Sequence, residues 1–349
     1  MNIYNNISEP AKRTYRSKNG IFVLTVILFW VCTVMSHQAY AASDHGVASN
    51  YADTIMVSKD GHGDFRSIQK AIEAAKSYPD HPIVIFIKKG IYDEVVRIPA
   101  WNPHLRLIGE DRKETIIRFN RYFGQVNKGR NSTFYTATLR VEAEDVSLAH
   151  LTIENVAGPV GQAIAVYVGA DKCRIEDCSI HGHQDTFFAT GTHTRVYLYH
   201  CQIEGTTDFL FGDATVYLNQ CHLVCKANSY IVAASTVKEQ PYGFVLDKCL
   251  ITAAPGVKQV FLGRPWRPYA RTVYLNCQMG AFIRPEGWDN WRNKANEKTA
   301  FYGEYNSRNQ QTGQAMNVSD RVGWAHILNK QEAGGYTPGK VLGEWVLQP

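Results

Sequence analysis

Between residues 144 and 282, apolar and polar positions alternate in short runs that keep returning. The runs are EDVSLAHLTIENVAG (144–158), DKCRIEDCSIHGHQD (171–185), HTRVYLYHCQIEGTTD (193–208), DATVYLNQCHLVCKAN (213–228), PYGFVLDKCLITAAPG (241–256) and ARTVYLNCQMGAF (270–282). Each holds an alternating apolar strand, a polar pair, usually a cysteine, and a second short strand. The recurring position is Leu151, Cys178, Cys201, Cys221, Cys249 and Cys277, at spacings of 27, 23, 20, 28 and 28 residues. Period-2 runs of Val, Tyr, Ile and Leu predict strands. Units of this length with two or three strands each predict a solenoid of stacked rungs. Each residue then pairs with its counterpart one rung away, roughly 4.8 Å along the axis. A column of cysteines suits such an interior, which takes small or apolar residues at stacked sites. A β-sandwich is the rival; it calls for hairpin turns such as Asn-Gly, and this region has none.

Helical periodicity stands out only over Phe65–Lys76, where Phe65, Ile68, Ala71, Ile72 and Ala75 share one face and Asp64 is placed as a cap. This helix is expected to cover the strand edges at the N-terminal end of the solenoid. After about residue 285 the chain is rich in Trp, Asn and Gly, and irregular loops with a C-terminal cap are expected. The expected fold is therefore all-β: one solenoid domain over residues 42–349, with a short N-terminal capping helix and C-terminal loops.

Residues 1–41 have the layout of an export signal. Lys12, Arg13, Arg16 and Lys18 precede an apolar run from Ile21 to Met35, and Ala39-Tyr40-Ala41 supplies small residues for cleavage. The run is shorter than the roughly 20 residues that span a bilayer; an uncleaved anchor is the alternative. A secreted protein, extracellular or periplasmic and free of the membrane once the signal is removed, is expected.

Composition adds exclusions. Hydrophobic residues make up 45% and charged residues 20%, as in globular proteins. The formal charge of +5 falls to +2 without residues 1–41, which gives no case for a nucleic-acid partner. The seven cysteines beyond the signal contain no CxxC pair, so common zinc and thioredoxin spacings are missing. Export permits disulfides, and the odd number leaves at least one thiol free or bridged between chains.

The chemistry comes from register. Asp185 lies seven residues after Cys178, and Asp208 seven after Cys201, which makes them equivalent sites on adjacent rungs. Two carboxylates that close do not both ionise cheaply, so one pKa should rise. A protonated acid beside an ionised base or nucleophile is a useful catalytic pair; an acidic ladder at surface turns is the structural alternative. Both sit among aromatics, in Gln184-Asp-Thr-Phe-Phe188 and Thr207-Asp-Phe-Leu-Phe211.

These stretches resemble the pectin methylesterases, or pectinesterases. The resemblance rests on Lys88-Lys-Gly-Ile-Tyr-Asp-Glu94, Gly161-Gln162-Ala163, Gln184-Asp185-Thr186, Gly205-Thr-Thr-Asp-Phe-Leu-Phe-Gly212 and Leu262-Gly-Arg-Pro-Trp266, in order, and spans roughly residues 53–345. It implies a right-handed parallel β-helix that hydrolyses methyl esters of galacturonate in pectin with no metal or organic cofactor. By motif, Asp208 would be the nucleophile, Asp185 the general acid and then base, Gln162 and Gln184 the oxyanion donors, and Arg264 the partner of Asp208. Thr133, Trp266, Phe188, Phe211 and Trp291 would contact the sugar chain. A Cys201–Cys221 disulfide is also implied, since similar positions are bridged in some relatives. No inhibitor-like segment precedes the catalytic part, a bacterial-type layout, and a monomer acting on methyl-esterified homogalacturonan is expected.

Other readings stay open on sequence. His181-Gly-His183 has an HxH spacing, but no further His-Asp set completes a metal site. No G-x-S-x-G elbow supports a serine esterase. A lyase or polygalacturonase on the same fold, an esterase or thioesterase for another substrate, and a pectin-binding protein without turnover are the remaining alternatives.

Overall fold

In a computed structural model, residues 51–347 are described. The proposed export segment, residues 1–41, lies outside them. The chain winds through three parallel sheets in a fixed cycle, making a right-handed parallel β-helix. The first sheet has eleven strands, from β1 (Thr54–Val57) to β27 (His326–Ile327); the others have nine and seven. Every strand pairing is parallel, which rules out the sandwich.

The register is the one the repeats predict. Ser179 pairs with Thr152 and Gln202, Gln202 with His222, His222 with Leu250, and Leu250 with Gln278. Leu151 and the five cysteines one residue earlier are all buried. Because equivalent residues stack, the interior becomes columns of like side chains. Ile175, Leu198, Leu218 and Leu246 form one, and Ile180, Ile203, Leu223 and Ile251 another; all are fully buried. Each such side chain contributes about 1.5–3 kcal/mol by leaving water.

From β8 (Ser147–Ala149) onward, the corner from the first sheet to the second has one construction. A single residue in the left-handed conformation turns the chain: His150, Asp177, His200, Gln220, Lys248, Asn276 and Asn306, with φ between 45° and 55°. The repeat position follows it and points into the core. None of these corner residues is glycine, so nothing in composition announces the turn.

The expected Cys201–Cys221 disulfide is not formed. The seven cysteines among the described residues are free, buried thiols. Cys201 Sγ donates to the carbonyls of Ile175 and Tyr199 at 3.3 and 3.4 Å, and Cys221 Sγ to those of Leu198 and Asn219 at 3.6 and 3.5 Å.

Two further expectations are corrected. The helix α1 runs over Ile68–Ala74, and its N-cap is Ser67. Asp64 accepts instead from the amide of Met56 in β1. Glu94 reaches the helix from the third strand's end: its carboxylate accepts from Ser67 Oγ at 2.6 Å and from the Ile68 and Gln69 amides at 2.9 and 3.1 Å. The acid that ends the Lys88–Glu94 motif thus closes the positive end of α1.

The chain after residue 285 is also more regular than expected. Strand β25 (Phe301–Tyr305) extends the first sheet by pairing with β23 (Arg271–Leu275). Trp288, packed on Tyr302 and Tyr274, fills the C-terminal end of the core. The buried Arg321–Glu304 pair fixes the following loop to that strand at 2.9 Å. Two short helices, α2 (Lys330–Ala333) and α3 (Pro338–Leu342), follow. Val341, Leu342 and Val346 then pack beside Tyr197 and Tyr217 on the outer face of the first sheet.

Glu94→Ala removes all three bonds at the start of α1 and should lower the unfolding free energy by about 1–2 kcal/mol. A shifted urea midpoint with an unchanged slope is the expected readout; an unshifted midpoint would show that water replaces the carboxylate without loss.

Candidate active site

Asp185 and Asp208 fall at equivalent places on neighbouring rungs. Phe187 and Phe188, just after the first, pair with Leu210 and Phe211, just after the second. The Asp185 amide donates to the Thr207 carbonyl at 3.1 Å, and the Asp208 amide to the Tyr230 carbonyl at 2.9 Å. Both aspartates are left-handed, with φ of 63° and 50°. Asp tolerates that region better than most side chains, but it remains strained. Their followers, Thr186 and Phe209, are wholly buried. Three residues before each aspartate stands a glycine, Gly182 or Gly205. A Cβ at Gly205 would lie 2.2 Å from Phe209 Cβ and 2.7 Å from the His183 carbonyl, so only glycine fits there.

Arg264 grips Asp208 with two bonds, Nε to Oδ1 at 3.0 Å and Nη2 to Oδ2 at 2.6 Å. Its guanidinium lies between two rings, 3.9 Å from the Tyr230 centroid and 3.8 Å from that of Trp291. Rings above and below with a fork at the edge leave the cation one orientation. Trp291 is held by consecutive left-handed residues, Trp291 and Arg292, and by its amide bond to Asp289 Oδ1 at 2.7 Å.

The electrostatics separate the two acids. Burial and the neighbouring Asp208 charge push Asp185 well above the usual carboxylate range, against a weaker pull from Arg264. Burial also raises Asp208, but both bonds from Arg264 oppose it. A shared proton is therefore favoured on Asp185 over Asp208.

These groups share a cleft of 370 Å³ whose lining includes Gln162, Gln184, Thr133, Phe211, Trp266 and Trp291. Gln162 and Gln184 form an isolated parallel bridge, stacked one rung apart as the aspartates are. Thr133 sits on a 3-10 turn, Gly129–Tyr135, fastened by Arg140 Nη1 donating to the Phe134 carbonyl at 2.8 Å. Phe211 ends a ladder on the outer face of the third sheet, Tyr167, Phe188 and Phe211 in register, with successive ring centroids 5.1 and 4.5 Å apart. Phe188 lies under a second depression next to the cleft rather than in the cleft lining. His181 and His183 are not part of the lining, and His181 Nδ1 meets Glu154 Oε1 at 3.1 Å. Among the described residues no set of three metal-ligating side chains comes together, and no helix is long and apolar enough to cross a membrane.

The pectinesterase family model matches residues 54–344. The chain belongs to the pectinesterase family. It is 36% identical over 303 residues to the probable pectinesterase/pectinesterase inhibitor 23 of Arabidopsis thaliana, covering 82% of this chain but 52% of that protein. It is 35% identical to pectinesterase 31 of the same plant, covering 81% of this chain and 90% of that one. The chain thus spans about half the length of several curated relatives it matches. Among solved structures it is similar to a pectin methylesterase from carrot, with 31% identity and a TM-score of 0.75 over 83% of this chain and 93% of that one. It is also similar to a pectin methylesterase in complex with a hexasaccharide, with 30% identity and a TM-score of 0.72 over 83% and 97%.

In this pectinesterase-family site, sequence reasoning missed Phe123, Arg130 and Phe134, which border the cleft, and Tyr230, which stacks on Arg264. Tyr230 had a readable signal: it follows Asp208 by one rung. Phe123 and Arg130 lie in a long insertion outside the repeat, where register gives no guide.

Asp185→Asn keeps the shape of the protonated acid without its titration. The carboxyl is raised in the folded protein, so its favourable contribution is complete below about pH 3.8, the ordinary value, and is lost as pH rises through the folded-state value. The melting temperature of the variant should therefore gain on the parent's with rising pH, starting above that point. A constant difference across the series would place the resting proton elsewhere.

Proposed function

We propose that the protein hydrolyses methyl esters of galacturonate in pectin, releasing methanol and leaving a free carboxylate. The observation that carries this reading is an unequal acid pair: Asp208 in the fork of Arg264, beside Asp185, whose carboxyl is pushed well above the usual range by burial and by the Asp208 charge. Asp208 attacks the ester carbonyl carbon, and negative charge develops on the carbonyl oxygen. The amides of Gln162 and Gln184 donate to that oxygen. Collapse expels methoxide as methanol, with the proton coming from Asp185, and leaves an anhydride between Asp208 and the sugar carboxyl. Asp185, now an anion, takes a proton from water. The hydroxide adds to the sugar carbonyl, the anhydride breaks, and Asp208 is released as carboxylate with Asp185 again protonated.

Arg264 serves this cycle by keeping Asp208 ionised and aimed through two bonds and two ring faces. Trp266, Phe211, Trp291 and Thr133 offer ring faces and a hydroxyl to the sugar chain. Phe188 supports Phe211 from beneath. The reaction needs no redox step and no metal in this scheme. Export to a compartment where cell-wall polymer is found, through residues 1–41, is part of the same reading, as is action by a single chain.

The test is methanol release from highly esterified pectin in the presence of chelator. The parent protein should release methanol, and Asp208→Ala should fall at least about a thousandfold in kcat. Asp185→Asn should lose kcat with little change in KM. Equal methanol release by Asp208→Ala and the parent would falsify the mechanism, and an unsaturated product absorbing in the ultraviolet would indicate a lyase.

A further inference from the structure

The hydrogen-bond ladder of the second sheet slips in the turn that carries Gln184 and Asp185. On other rungs the amide just after a strand donates to the last carbonyl of the strand one rung back. Val156 donates to Phe119 and Lys226 to Gly205 at 2.8 Å, and Ala254 to Cys225 at 2.9 Å. His181 in β12 (Ser179–His181) pairs with Glu204 in β15 (Gln202–Gly205), which puts Gly182 opposite Gly205. By the same rule the Thr206 amide belongs on the Gly182 carbonyl. It donates instead to the His183 carbonyl at 2.9 Å, one residue further on. Among the described residues the Gly182 carbonyl is then left without a backbone donor, although Gly182 is buried. A buried carbonyl in that position needs another partner.

Lys226 supplies it. This residue follows β18 (His222–Cys225), two rungs from Gly182. Its Nζ donates to the Gly182 carbonyl at 2.9 Å and to Glu204 Oε1 at 3.0 Å. The Lys226 and Glu204 side chains are 23% and 24% exposed, which sets the contact apart from open surface pairs that contribute little. Lys226 thus bonds the carbonyl three residues before each aspartate, Gly205 through its amide and Gly182 through its ammonium. The other carbonyls of the turn are held by nearby groups. That of His183 also accepts from Thr186 Oγ1 at 3.0 Å, and that of Gln184 from the Ala163 amide at 3.1 Å. Gly182 packs tightly on the residue after Asp185: a Cβ there would lie 2.6 Å from Thr186 Oγ1. A shift of Gly182 is therefore passed on to Thr186 and the acid before it. We propose that Lys226 is a positioning residue for the reaction, its ammonium fixing the Gly182–Asp185 turn and so aiming the Gln184 amide and the Asp185 carboxyl at the ester on Asp208. The proposal rests on the esterase reading above. Lys226 is not part of the cleft lining, so its loss disturbs the acid and an oxyanion donor without removing a contact to the sugar chain. The effect falls on turnover rather than on binding.

Methanol release from highly esterified pectin is measured for the parent, K226M, K226R and E204Q, each scaled to its folded fraction. K226M should lose roughly ten- to a hundredfold in kcat, with KM within about twofold of the parent's. K226R, whose guanidinium can donate to the same carbonyl, should recover most of that loss. E204Q keeps an acceptor for Lys226 and leaves the Gly182 bond in place, so its kcat should stay within about twofold of the parent's. Where K226M does not fold, K226Q replaces it; its side chain is one bond shorter than that of lysine, and the same fall in kcat is expected. A lysine variant that melts lower but turns over at the parent's kcat makes Lys226 a purely structural residue and overturns the proposal. A rise in KM at constant kcat does the same, as does E204Q falling as far as K226M. A parent that releases no methanol defeats the esterase reading itself, which is a different result.

Discussion

Parallel backbone pairing between successive rungs is the constraint on which everything else in this molecule rests. Once Ser179 is paired with Gln202, every strand residue of one turn has a fixed counterpart in the next. The core columns of aliphatic residues, the stacked Phe188 and Phe211 and the two aspartates are products of that one register. A slip by one residue would invert the faces of a strand. It would bring charged side chains inside and carry Asp208 away from Asp185. Stability and chemistry thus use the same hydrogen bonds.

The register alone makes the two acids equivalent, and the differences arise from what lies one rung further on. Beyond Asp208 come Tyr230 and Arg264, which supply a stacked guanidinium. Asp185 has the other carboxylate as its neighbour and no cation in direct contact. Identical backbone geometry therefore yields an anion on one side and an acid on the other. The strain of the left-handed backbone at both positions is borne by flanking residues packed inside the solenoid, chiefly Thr186 and Phe209.

The repeats made the fold legible because they are stated several times over in the sequence. Each cysteine at the corner gave the register, and the register gave the acid pair. The helix was visible from Ile68, Ala71 and Ile72, but the acid at its start was not, because Glu94 is distant in sequence and reaches Ser67 only after folding. The strand at Phe301–Tyr305 was hidden by the Trp- and Asn-rich residues around it. Cys201 and Cys221 were correctly read as stacked neighbours, yet each stands as a thiol that donates to backbone carbonyls. At the cleft, register pointed to the residues carried by rungs, whereas on the insertion between rungs only Thr133 was reached, through the resemblance, and Phe123 and Arg130 were not.

The corner built from one left-handed residue has a consequence for how such a chain can change. From β8 (Ser147–Ala149) to β26 (Arg308–Asn309) it always spends two residues there, for example Asp177 and Cys178, or Lys248 and Cys249. The other two corners differ widely: four residues separate Gly205 from Leu210, and ten separate Asn155 from Val166. One edge of the solenoid therefore acts as a spine of constant length, and insertions or deletions fall elsewhere. The variable edges flank the third sheet, where the cleft lies. New loops can be grafted beside the reacting groups while the spine keeps the count, so the surface presented to a polymer can be redrawn without renumbering the core.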